Sequence, residues 1–490
     1  MTDHEPILPS QLFFGLPAAE REAHLDQYFF ESASYQRLLS GQKTIVLGNR
    51  GAGKTAILRG LALRVKKATV VQLAPDDYSY EMLESTLRKE VEGSWAKQGA
   101  YAAAWKYVLF LSAMKAVINR SPSLKHGAAG KLYTFLRDNQ INIDTNPIGA
   151  LISYIKRLEG IKIGPYEAGL KAKELARLYR LEELERPIRH LATVAAERPV
   201  MILVDELDRG WDNSEDARAF VAGLFNAATA INQDMPNVRV ILSLRLELFN
   251  SIPSLFDDAQ KYRDLIEFIV WDEASLMQLM HKRLRVCLPE VEFLRPEHLW
   301  NRVFVENLGD GKGRSFGYLT SRTLFRPREL IQFCEFVREA AIKRNAVAPF
   351  GLDLIQEAEP LHSETRLHDI VAEYRFDLPF LEPLFETFRG MPARLDRDAL
   401  EYHCLRACSG DIGSAELHEW CQARDPGLLI ELLWSVGFLR GQTPGQVPRG
   451  RSEQRPYLAF HQAHGLNSYT IRRFEIHPMF WSYLAVQVLE

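Results

Sequence analysis

Eight residues, Gly48-Asn49-Arg50-Gly51-Ala52-Gly53-Lys54-Thr55, match the pattern G-x-x-x-x-G-K-[ST] and constrain the fold of this chain more than any other stretch. The apolar run Thr44-Ile45-Val46-Leu47 before them predicts a short strand, and the run from Ala56 to Leu63 behind them predicts a helix. Strand, glycine loop and helix in that order build a phosphate cradle. Gly48, Gly51 and Gly53 let the backbone wrap round phosphate with its N–H groups turned inward. The helix N-terminus adds the positive end of its dipole. Lys54 is the point cation for the β- and γ-phosphates, and the Thr55 hydroxyl is a ligand for Mg²⁺. ATP with Mg²⁺ is the cofactor this pattern implies.

A second strand supplies the acidic half of such a site. Pro199-Val-Met-Ile-Leu-Val204 is apolar throughout and ends in Asp205-Glu206. A run of that kind suits a parallel strand buried on both faces. Its carboxylates then fall at the strand's C-terminal end, where open α/β sheets bind ligands. Asp205 is the expected Mg²⁺ carboxylate. Glu206 is placed to orient or deprotonate an attacking water; the bland alternative is a solvated strand-end acid. Two more strands follow, Val238 to Arg245 and Leu265 to Val270. Strands alternating with helices predict an α/β fold with a doubly wound parallel sheet. Arg245, at the end of its strand, could sense a γ-phosphate or simply make a surface salt bridge.

The segments Asp205-Glu-Leu-Asp-Arg-Gly-Trp211-Asp212, Ser243-Leu-Arg-Leu-Glu-Leu-Phe249 and Phe325-Arg-Pro-Arg-Glu-Leu-Ile331 together resemble a largely uncharacterised family of prokaryotic P-loop ATPases. That family lies near the STAND and origin-recognition branches of the AAA+ class. The resemblance spans roughly residues 10–345. It implies that Asp205 and Glu206 form the Walker B pair and that Arg245 is a sensor arginine. It also implies a lid-borne arginine pointing at the phosphates, Arg326 or Arg328, with Arg328 preferred. Arg263, just before the last core strand, takes the place of an arginine finger acting on a neighbouring copy. Proteins of this kind often serve prokaryotic antiviral defence or signalling through a partner effector, and the resemblance carries that expectation to this chain.

The domain reading has four parts. Residues 1–77 and 198–272 form the ATPase core, 78–197 a helical insert, 273–350 a helical lid, and 351–490 a helical, winged-helix-like domain. The insert is expected as helices at 81–92, 100–119, 130–138, 148–158 and 173–197, packed beside the core for partner contact or self-association. In the last part, Arg397–Ala407, Ser414–Arg424 and Leu428–Val436 read as three helices. Strands at 438–440, 457–461 and 469–476 would complete a wing. Residues 361–490 hold thirteen Arg, no Lys and seventeen Asp and Glu, so any anion patch must be local. Arg440, Arg449, Arg451, Arg455, Arg472 and Arg473 would make it, while the third helix carries Glu431 and no cation. Contact with protein is favoured over contact with nucleic acid on that ground.

Composition narrows the class. Of 490 residues, 47% are hydrophobic and 25% charged, and the net charge is −3, which excludes a disordered tail or a uniformly basic nucleic-acid binder. The apolar run at 107–114 is far short of the ~20 residues that span a bilayer, and the N-terminus lacks the marks of a secretory signal. Five Cys form a sparse, odd set. Cys404, Cys408, His418 and Cys421 do not space like a zinc site and are read as buried thiols in a reducing cytoplasm. The reading reached is a cytoplasmic, ATP-binding and hydrolysing regulatory switch that works through a protein partner and self-association. A DNA-binding initiator or loader gated by ATP, and a nucleotide-locked scaffold without turnover, stand as alternatives.

Overall fold

The computed structural model describes residues 6–74, 94–119, 126–138, 181–209, 211–253, 255, 262–291, 293–422, 424–442, 457–462 and 467–488. The chain divides into two compact units, Glu31–Val270 and Met1–Phe30 joined to Trp271–Glu490.

The first unit is built on a five-stranded sheet. In chain order its elements are α1 (Ala33–Ser40), β1 (Ile45–Gly48), α2 (Lys54–Arg64), β2 (Thr69–Leu73), α3 (Ser94–Asn119), α4 (Gly127–Asp138) and α5 (Glu185–Glu197). Then come β3 (Val200–Val204), α6 (Glu215–Asp234), β4 (Val238–Arg245), α7 (Leu246–Ser251) and β5 (Ile266–Phe268). The sheet order is β2-β3-β4-β1-β5, and each neighbouring pair runs parallel. Every residue of β1 and β3 is buried, as continuous apolar runs in a two-faced parallel sheet must be. Ser214 starts α6 by accepting a hydrogen bond from the Ala217 amide at 3.1 Å.

Three of the helices expected in the insert are present at 94–119, 127–138 and 185–197. The helices expected at 81–92 and 148–158 lie outside the described residues. Those that are described share one hydrophobic core with the sheet and α6. Tyr101 and Trp105 of α3 meet Phe220 of α6 edge-on, and Trp105 Nε1 donates to the Phe220 carbonyl at 3.2 Å. Gly223 permits the approach: a Cβ there would lie 2.6 Å from the Tyr101 Cβ and 2.8 Å from the Ala102 nitrogen. The stretch Tyr101–Asn119 is long and apolar enough to cross a membrane by length and composition, yet 61% of its window is buried in this core.

In the second unit residues 6–30 pack with the helical part. Leu12 and Phe14 join Leu276, Met280, Trp300 and Phe304 in one cluster. Arg283 explains the docking: it is buried, donates to the Phe14 carbonyl, and lies 4.5 Å from the Tyr28 ring. The helices here are α8 (Glu273–Cys287), α9 (Pro296–Val303), α10 (Ser315–Thr320), α11 (Pro327–Lys343), α12 (Leu352–Tyr374) and α13 (Leu381–Glu386). Asp272 caps α8, accepting from the Ser275 amide at 2.8 Å.

The C-terminal segment holds three helices, α14 (Arg397–Ser409), α15 (Ala415–Gln422) and α16 (Gly427–Ser435), over a second core of Phe385, Phe388, Phe438 and Phe480. Its sheet has four antiparallel strands in the order β6-β9-β7-β8: β6 (Arg394–Asp396), β7 (Leu439–Gln442), β8 (Tyr457–Leu458) and β9 (Arg473–Ile476). The sequence reading lacked β6, whose three residues are too few to carry an alternation. It also drew β8 and β9 too long: 3-10 turns at Phe460–Gln462 and Ser468–Thr470 interrupt them.

The thiol reading is corrected at two positions. Cys408 and Cys421 form a disulfide, with their Cα atoms 5.2 Å apart. The turn between α14 and α15 brings them together, and His418 Nδ1 donates to the Cys408 carbonyl across it at 2.7 Å. Cys404 is a buried free thiol, as expected.

Candidate nucleotide site

β1 delivers the glycine loop to one end of the sheet. Gly51 and Gly53 both take left-handed backbone, at φ 80° and 96°, where a Cβ would be strained. Gly53 is the N-cap of α2, so Lys54 is the first residue of that helix. The Lys54 ammonium donates to the carbonyls of Gly48 at 2.8 Å and Asn49 at 3.0 Å, which points it back into the loop. Asn49, Arg50 and Thr55 are half-buried around it and Ala52 is buried.

The neighbouring strands bring the other charges to the same end. Gly48 pairs in register with Arg245 at the end of β4. Val204 pairs with Leu242, which sets Asp205 beside Ser243 one position further on. The Ser243 hydroxyl is buried and has no hydrogen-bond partner among the described residues. Glu206 turns the chain out of β3 with φ 59°, and its Oε2 lies 3.1 Å from Arg209 Nη1. Arg245 pairs with Asp208 on the same turn.

Burial holds the Lys54 pKa below the ordinary lysine value. Glu247, the second residue of α7, opposes that shift most, and Asp208 and Asp205 act in the same sense, while Arg245 adds to the depression. The loop cation therefore sits in the field of three carboxylates and one guanidinium. Such a site fits a magnesium–triphosphate: a left-handed glycine cradle, one half-buried cation, a strand-end carboxylate and, beside it, a buried hydroxyl without a partner among the described residues. No group of three or more His, Cys, Asp or Glu that could hold a metal alone occurs among the described residues. Thr55 and Asp205 are the residues that could hold a metal together with phosphate oxygens. Asp208 and Glu247 escaped the sequence reading, although both lie inside segments it quoted. Nothing in the spacing distinguishes them from solvated acids.

The remaining arginines fall elsewhere. Arg263 stands exposed in the turn before β5, at the N-terminal end of the strands, where Lys43 Nζ reaches its carbonyl at 3.5 Å. That is the end of the sheet opposite the glycine loop, because β5 runs parallel to β1 with Ile266 beside Ile45. Arg326 and Arg328 belong to the other unit. Arg326 is buried and locked to Glu373 at 2.6 Å and to Glu329 at 3.7 Å. Arg328 is half-buried, and its Nε donates to the Pro17 carbonyl at 3.1 Å. Of the arginines expected in a wing, Arg440 is instead pinned to the buried Glu475, which also takes Arg394 at 3.2 Å. Arg472 and Arg473 are exposed, and Arg449, Arg451 and Arg455 lie outside the described residues.

Comparison with known proteins adds three findings. Residues 274–371 match the family model of the FunZ-associated C-terminal helical domain. The chain is 24% identical over 441 residues to the 80.3 kDa protein of transposon gamma-delta from Escherichia coli K12, and the match takes in 87% of the chain. It spans 61% of the length of that curated relative. Among solved structures, the ORC2 protein of Aeropyrum pernix is similar in its ADPNP–ADP and ADP forms, at 12% and 13% identity and a TM-score of 0.30. Coverage is 95% of this chain and 94% of that one in the first case, and 98% and 93% in the second. A likeness at that score carries no argument about fold or ligand.

Proposed function

We propose that this chain is an ATP-binding P-loop ATPase that works as a nucleotide-gated regulator. The observation that carries the reading is the convergence of Lys54, Asp205 and Arg245 at one end of a parallel sheet, behind a loop with two left-handed glycines. ATP would be held by residues 48–55, and Mg²⁺ by Thr55 and Asp205. The metal would supply neutralisation of phosphate charge. Lys54 leaves the Gly48 and Asn49 carbonyls to meet phosphate oxygens. Glu206 exchanges Arg209 for a water and accepts its proton. Arg245 meets the γ-phosphate. Arg263 faces away from its own site and serves a neighbouring copy, so turnover needs self-association. Arg328 stays the preferred lid arginine on the sequence resemblance alone. The output passes to a protein partner. A setting in prokaryotic defence rests on the sequence resemblance alone, and the name of the matched relative favours a setting on mobile DNA.

Calorimetry tests the reading. Wild-type protein binds ATP with Mg²⁺, and Lys54→Ala loses at least about a hundredfold in affinity, the loss expected for charge-assisted hydrogen bonds to phosphate. Equal affinity in both proteins would remove the assignment.

A further inference from the structure

Arg245 is occupied. Its Nη2 is paired with Asp208 Oδ2, and the two side chains are 21% and 24% exposed. Asp208 lies three residues past Asp205, on a turn closed by the Arg209 amide on the Glu206 carbonyl at 3.1 Å and by the Trp211 amide on the Asp208 carbonyl at 3.3 Å. Both partners lie in the field of the loop cation: Arg245 repels the Lys54 ammonium and Asp208 attracts it. The carboxylate thus holds the guanidinium beside the place where phosphate charge would arrive.

We propose that Asp208 is an internal competitor for Arg245, and that the strength of this ion pair sets how well the site tells ATP from ADP. The inference rests on the nucleotide reading and deepens it. A γ-phosphate brings about two negative charges close to the carboxylate, and the two anions repel. Arg245 therefore changes partner when ATP binds, and the affinity for ATP is reduced by the cost of the broken pair. ADP has no γ-phosphate and leaves the pair intact. A ligand shifts an equilibrium only by its differential affinity for the two states, and here the difference is the γ-phosphate alone. Asp208 is a positioning residue, acting through Arg245.

The test is calorimetry with ADP and with a non-hydrolysable ATP analogue, on wild type, Asp208→Asn, Arg245→Gln and the double variant. Asp208→Asn tightens the analogue by about fivefold, the scale of one partly exposed ion pair, and leaves ADP unchanged. Arg245→Gln weakens the analogue and spares ADP. The double variant falls closer to Arg245→Gln than the sum of the two single changes predicts, because most of the effect of Asp208 on the ligand passes through Arg245. Asp208→Glu, which keeps the carboxylate, keeps the wild-type ratio. An unchanged analogue-to-ADP ratio in Asp208→Asn overturns the proposal. So does a shift of undiminished size in the Arg245→Gln background. If the pair is merely structural, the melting temperature of Asp208→Asn falls while the ratio stays put. Failure of the nucleotide reading looks different: Lys54→Ala then binds as wild type does, and both proposals fall together.

Discussion

Gly48 and Arg245 are register partners on adjacent parallel strands, so the first glycine of the loop and the arginine that ends β4 share one end of the sheet. The relation between β3 and β4 brings Asp205 to that end as well. Glu206 follows in left-handed backbone at φ 59°, a conformation that a glutamate adopts only when its surroundings enforce it. Its carboxylate lies 3.1 Å from the Arg209 guanidinium. An acid so placed can act on water without being a metal ligand.

Replacing that acid should separate binding from chemistry. Glu206→Gln keeps the loop, Lys54 and Asp205, so ATP affinity stays within about twofold of wild type. Turnover falls by about 10²–10⁴, the usual contribution of a positioned general base. Phosphate release and calorimetry on the same preparation check both halves. Parallel loss of affinity and rate would assign Glu206 to binding instead.

Arg263 gives a prediction about assembly. It lies at the opposite end of the sheet from the glycine loop, so it has no access to its own site within the unit. Specific activity should rise with protein concentration. Arg263→Ala should flatten that rise and lower the assembled rate by about 10³–10⁵, while ATP affinity holds. Turnover by a species that sedimentation shows to be monomeric, at a rate independent of concentration, would rule the contact out.

Much of this site was legible in the sequence because its chemistry is local. The glycine loop carries its own spacing, and β3 announces itself as five apolar residues before two acids. What could not be read depends on distant partners. Arg326 and Arg328 stand two residues apart at the head of α11. Glu373, 47 residues past Arg326, is what takes Arg326 out of play. Asp208 looks like a solvated acid until β4 places Arg245 against it. Residues 6–30 fall inside the span 1–77 that the sequence reading gives to the ATPase core, and only the burial of Arg283 against Phe14 and Tyr28 shows where they pack. The Cys408–Cys421 bond has the same origin: a spacing of thirteen residues says nothing until two helices fold back on each other.

That bond should contribute measurably to stability. A sequence separation of 13 residues corresponds to about 3 kcal/mol of loop-closure entropy removed from the unfolded chain. The melting temperature of the wild-type protein should therefore drop in reductant. Cys408→Ser should melt at the reduced wild-type temperature and ignore reductant. Burial pushes the Cys404 thiol up to about 12, so it stays unreactive to alkylation in the native protein under both conditions. A wild-type melting curve unmoved by reductant would show that the bond contributes little.

The last prediction concerns acid. His362 is buried in α12, its ring stacked on Phe333 with centroids 4.0 Å apart. Its Nε2 donates to the Arg322 carbonyl at 2.8 Å, while the buried Nδ1 has no partner among the described residues. Burial, reinforced by the Arg366 guanidinium, pushes its pKa down from 6.5 to about 3. His403, also buried, is pushed down to about 4. Both are neutral in the fold and take up a proton on unfolding. The unfolded chain therefore binds more protons between pH 6.5 and the depressed values. The stabilisation is complete above pH 6.5 and is lost progressively as the pH falls toward 3. Each pH unit below 6.5 costs up to about 1.4 kcal/mol per histidine. His477 and His281 are depressed in the same sense and burial raises Glu329, so the comparison of wild type with His362→Gln is what isolates His362. His362→Gln keeps a donor for the Arg322 carbonyl and cannot take a proton. It should be less stable than wild type at pH 8, through loss of the ring stack, yet show a shallower decline between pH 6.5 and 5. Urea midpoints at half-unit steps of pH measure both quantities. Equal slopes in the two proteins would mean that protonation of His362 is accommodated within the fold.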